Sequence, residues 1–132
     1  MTPAASPLAR VRRLCLELPE TNERPSHGSP TFFIRDKRQF VQYLDNFHGD
    51  GRLALWCAAA RGRQAALVKK DPERYFVPPY VGYLGWIGVR LDRGLGREEI
   101  ADRIEEAYVA VAPKRLAALR SGVKASEARM KD

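Results

Sequence analysis

The side chains suited to nucleophilic, acid–base or metal-ligating work are few: the two cysteines, Cys15 and Cys57, and the two histidines, His27 and His48. The cysteines lack the CxxC spacing of a redox or zinc motif, and neither histidine stands at metal-ligand spacing from another His or Cys. Cys57 closes "RLALWC", where it shares the alternation of Leu53 and Leu55, so it reads as a buried, inert thiol rather than a partner for a histidine. Carboxylates gather at Glu98, Glu99, Asp102, Glu105 and Glu106, but Arg97 and Arg103 interrupt them, as on a solvated helix face. The residues therefore predict no catalytic group, no bound metal and no cofactor: the chain is expected not to be an enzyme.

Glycines offer a second chemistry. "VPPYVGYLGWIGVRLD" (77–92) spaces Gly82, Gly85 and Gly88 three apart. A phosphate-binding glycine loop runs from a strand into a helix, whose N-terminus holds the anion. Here the glycines lead into a strand, and no lysine follows. Gly82-Tyr83-Leu84-Gly85 matches the GXXG of nucleic-acid-clamping KH domains, yet lacks the flanking helices. The glycines are expected to shape backbone: turns at Gly82 and Gly85, close packing or a bulge at Gly88. Trp86 and Arg90 alternate with Ile87, Val89 and Leu91, which places the first pair on the sheet face opposite the helices. Trp56, Phe33 and Arg35 are expected to join them, giving an aromatic and basic contact surface unless loops or the C-terminal tail cover the rings.

Charge points the same way. The chain carries 23 Lys+Arg against 16 Asp+Glu, a net +7. Residues 61–74 hold five basic and two acidic groups, and residues 113–132 six and two, so these segments account for the whole excess. Localised positive charge suits an anionic partner, nucleic acid above all, although a basic excess also serves solubility. Arg63, Lys69, Lys70 and Arg74 are the phosphate-contact candidates, with Arg35, Lys37, Trp86 and Arg90 on the sheet and its hairpin.

These residues need positioning elements. "SPLARVRRLCLEL" opens with Ser6 as N-cap and Pro7 as first helical residue, then repeats Leu8, Val11, Leu14, Cys15 and Leu18 at helical spacing. "TFFIR" and "RQFVQYL" read as a hairpin turning at Asp36-Lys37, with "ERPSH" before it as a short strand and "RLALWC" after it as another. "RGRQAALVKK" (61–70) predicts a short helix, Asp71 to Arg74 a further helical turn, and the segment from Gly85 a strand. "REEIADRIEEAYVAVA" predicts the last clear helix, with Ile100, Ile104, Ala107, Tyr108 and Val111 on one stripe. No βαβ alternation appears, so the sheet should be antiparallel and the fold α+β, a two-layer sandwich with the terminal helices on one face.

At 132 residues, 45% hydrophobic and 30% charged, the chain is expected to form one domain over residues 1–120, with a frayed basic tail at 121–132. No apolar run approaches the ~18–20 residues of a membrane span. "MTPAASPLAR" lacks an apolar leader core, and the unpaired cysteines fit a reducing compartment, so a cytoplasmic location is expected. In this order of elements, "LCLELPET", "HGSPTFFIRDKRQF", "PPYVGYLGWIGVRLD" and "EEAYVAVAPKR" together resemble the MmcQ/YjbR family, whose fold is like that of CyaY and frataxin. The resemblance covers residues 8–120. One departure is His27, where the family usually has an aromatic before the glycine. The resemblance implies the CyaY-like fold and a DNA-binding role. The alternative function is a protein-interaction module using the open sheet face.

Overall fold

The computed structural model describes residues 6–119; the predicted tail at 121–132 lies outside the described residues. Helix α1 spans Pro7–Leu16, and its expected cap is present: Ser6 Oγ accepts from the Ala9 amide at 3.1 Å. Strands β1 (Thr21–Ser26), β2 (Ser29–Ile34), β3 (Arg38–Asp45) and β4 (Leu53–Cys57) follow. Helix α2 (Arg63–Lys70), strands β5 (Tyr75–Phe76) and β6 (Ile87–Arg90), and helix α3 (Arg97–Val111) complete the order, with further helix at residues 114–119. The strands make one sheet in the order β1-β2-β3-β4-β6-β5, with every pairing antiparallel. The fold is α+β. Among the described residues, no helix is long and apolar enough to cross a membrane.

The terminal helices share one face of this sheet. Register places Val41, Cys57 and Ile87 in line, and Leu55 beside Val89 and Tyr75, all buried on the helix side. Helix α1 is tied to β1 by a bidentate pair, Arg12 to Glu23, at 2.8 and 2.9 Å. Helix α3 lies across the centre. Its Tyr108 meets Phe40 edge-on at 5.7 Å and donates to the Pro19 carbonyl at 2.8 Å.

Several local expectations shift. The β2–β3 turn is centred on Arg35-Asp36, not Asp36-Lys37: Lys37 N donates to Ile34 O at 3.1 Å, and φ is +53° and +56° at the two central residues. Such a turn needs positive φ at both positions, and no glycine stands at either. Asn22 compensates by accepting from the Asp36 amide at 2.9 Å, while Arg24 Nε donates to the Asp36 carboxylate at 2.6 Å. Asp71 to Arg74 is a turn leading into β5, a strand too short to show a period. Strand β6 starts at Ile87 rather than Gly85, because Gly85 is a left-handed cap at φ +88°.

The opposite sheet face is not open. Trp56 lies opposite both Gln42 and Gly88 as alternation required, but it is only 3% exposed, and Phe33 only 5%. The segment after β3 folds back, setting Phe47 edge-on to Trp56 at 5.0 Å. Arg24 covers the Phe33 ring at 3.8 Å, and Arg52 covers Phe76 at 4.0 Å. Leaving a ring of this size in water forfeits about 4–6 kcal/mol of burial, so the loops close over the face.

Candidate functional site

The structure separates the eight residues that the sequence nominated. Trp86 is 8% exposed and belongs to the core, so the expected role of that ring as a surface contact is corrected. Four arginines already hold carboxylates: Arg35 with Glu20 at 2.8 Å, Arg63 with Glu106 at 3.1 Å, Arg74 with Asp71 at 3.1 Å and Arg90 with Asp92 at 2.9 Å. A phosphate would compete with an existing partner at each. Lys37, Lys69 and Lys70 are exposed and make no ion pair among the described residues. They are not one group. Lys37 belongs to the β2–β3 turn, whereas α2 flanks β5 at the other edge of the sheet.

A different assembly does form, between α2 and residues 77–86. Gln64 of α2 donates through Nε2 to the carbonyls of Gly82 at 2.8 Å and Trp86 at 2.7 Å, pinning helix to loop. The loop packs tightly on itself: a Cβ on Gly82 would lie 2.6 Å from Val77 Cγ1. Between the pinned points a short 3-10 turn, Gly82–Leu84, carries Tyr83 at 85% exposure; Tyr80, at 69%, precedes it. Tyr80 adopts φ +65° and stands edge-on to Phe47, at 6.1 Å between ring centroids. The same helix α2 carries exposed Lys69 and Lys70 at its C-terminal end, and Arg61 just before it is likewise exposed and makes no ion pair among the described residues. Strand alternation could not place these tyrosines, because both lie outside the strands. Their signal was simpler: aromatics in a Pro/Gly loop have no sheet face to enter.

The reactive groups are held inert. Burial pushes the Cys57 thiol up to about 12 and moves Cys15 in the same direction. Between α2 and α3 a polar cleft of about 630 Å³ is lined by Arg63, Tyr75, Glu99 and Arg103, among others. Several of its groups bond one another, although the buried Arg103 Nε has no hydrogen-bond partner among the described residues. Tyr75 donates to Glu99, Arg103 and Arg63 both bond Glu106, and desolvation, followed by the Glu99 bond, raises the Tyr75 phenol to about 12. Among the described residues no three His, Cys, Asp or Glu side chains form a group able to hold a metal ion.

Comparison with known proteins gives two matches. A family model described as YjbR matches residues 16–110. The crystal structure of Deinococcus radiodurans protein DR2400, family-model domain DUF419, superposes with a TM-score of 0.66 at 21% identity, covering 79% of this chain and 77% of that one. At that identity the likeness concerns the fold. No curated protein matches in sequence.

Proposed function

This chain belongs to the YjbR family, and from that premise we propose that it is a non-enzymatic nucleic-acid-binding protein, acting through the exposed face of α2 and the adjoining tyrosine loop. One observation carries the reading: Gln64 fastens a helix bearing cations with no ion pair among the described residues to a loop bearing two exposed rings. Cations tracking a backbone beside aromatic platforms are the physical recipe for single-stranded nucleic acid, since every unpaired base has a face to stack. Phosphate neutralisation dominates affinity, and the sequence announces no recognition helix, so binding is weak in sequence preference. The other arginines of the basic segment, Arg63 and Arg74, serve the fold through their carboxylate partners. Anisotropy of a labelled single-stranded oligonucleotide tests this. Tyr83→Ala and Tyr80→Ala each weaken binding by about 1–3 kcal/mol if a base stacks there, and duplex affinity stays unchanged. Unaltered single-strand affinity in both variants rejects the site.

A second reading keeps the loop and changes the partner. Val77 and Leu84, at 55% and 57% exposure, extend the rings into an apolar patch of the kind that docks proteins. It replaces the open sheet face as the surface for a protein-interaction module, and such a contact survives high salt.

A further inference from the structure

A second concavity lies away from α2, where α1 passes the start of α3. It measures about 380 Å³, within the range of small-molecule sites. Its floor is aliphatic: Val11 and Leu14 from α1, Leu91 and Leu95 from the β6–α3 connection, and Ile100 from α3. Three exposed arginines, Arg10, Arg13 and Arg97, line the same groove.

Ion pairing divides the arginines of the described residues into two groups. Seven are ion-paired to carboxylates: Arg12, Arg24, Arg35, Arg63, Arg74, Arg90 and Arg103. Among the described residues Arg10, Arg13 and Arg97 have no carboxylate partner, although Glu98 lines the groove beside them. Three cations against one acid leave the rim positive above a floor that favours hydrocarbon. Guanidinium forks match a planar carboxylate in two parallel bonds, and a floor without aromatic rings suits a flexible chain rather than a stacked base. We propose that this groove binds an aliphatic carboxylate as a free small molecule, its chain on the floor and its head among Arg10, Arg13 and Arg97.

Decanoate below its micellar concentration is the probe, and decanol is its uncharged counterpart. Backbone amide shifts in the isotope-labelled protein report both location and affinity. Decanoate is expected to perturb Leu14, Leu95, Ile100 and Ala101 and to bind about tenfold more tightly than decanol. The variant carrying Arg10→Gln, Arg13→Gln and Arg97→Gln, checked as folded by its undisturbed remaining spectrum, is expected to bring decanoate down to the decanol affinity and leave decanol unchanged. Shortening the chain weakens binding by up to about fourfold per methylene. Equal decanoate affinity in wild type and variant overturns the proposal, as do shifts elsewhere on the molecule. Binding only to micelles or vesicles would make the groove a lipid-surface contact, concentration-dependent dimerisation would make it a self-interface, and displacement of decanoate by an oligonucleotide would assign the arginines to nucleic acid. Each of these also overturns it. The nucleic-acid reading of α2 stands or falls separately, on Tyr80 and Tyr83.

Discussion

Cys57 is the residue at which the proposal of a non-enzymatic protein can be tested. It is 1% exposed, and with its thiol pushed up to about 12, roughly one group in ten thousand is thiolate at pH 8. Cys15, fully buried, is shifted the same way by burial first and by Cys57 second. In a titration with an aromatic disulfide reagent at pH 8, neither thiol is expected to react within minutes, and both react in guanidinium chloride. Rapid modification of Cys57 in the folded protein would reopen the nucleophile reading. This much was legible from sequence, because Cys57 shares a period with Leu53 and Leu55. Trp86 was not. That ring lies just before β6, outside the paired register, and periodicity records at most a side and never what lies over it. The four paired arginines share this limit: the partners of Arg35, Arg63 and Arg90 sit 15, 43 and 2 positions away, and only the fold chooses among the acids available.

Elements with a period came through from sequence, including the short α2 and β4, and the shortest strand did not. Helices α1 and α3 were legible because an apolar stripe and a capping signal agree over several turns. Strand β5 has two residues, Tyr75 and Phe76, and no pattern can register in two. It nevertheless explains Gly88. Phe76 pairs with Gly88, and a Cβ there would meet the Phe76 ring at 2.4 Å. Gly88→Ala is expected to lower stability by about 1–3 kcal/mol, read from the urea midpoint. The cost should shrink when Phe76→Ala is already present, since the obstructing ring is gone. Equal costs in both backgrounds would refute the close-packing account. Gly85 has a different role: nothing lies within 4 Å of a Cβ there, and φ is +88°. Backbone strain alone should therefore govern Gly85→Ala, at about 1–2 kcal/mol.

At the scale of the whole molecule, surface electrostatics serves two ends. Several arginines lock the fold, and their partners are correspondingly acidic: Arg24 and Asn22 lower the Asp36 carboxyl, Arg35 lowers Glu20, and Arg90 lowers Asp92. A carboxyl lowered in the folded state stabilises above its unfolded range and loses that contribution as pH falls through the folded value. The melting temperature should thus hold near neutrality and decline as pH drops below the ordinary carboxylate range. A flat profile down to pH 3 would contradict these pairings. Among the described residues Lys69 and Lys70 make no ion pair, and they belong to the helix that Gln64 ties to the tyrosine loop. Their consequence is measurable as the slope of log affinity against log salt concentration for a labelled single-stranded oligonucleotide. Wild type is predicted to lose affinity steeply with salt. The Lys69→Ala, Lys70→Ala double variant is predicted to flatten that slope by about 1.4, from about 0.7 for each phosphate contact removed, with its fold intact because exposed charges add little stability. No binding by wild type at low salt, or an unchanged slope in the folded double variant, would contradict the nucleic-acid reading.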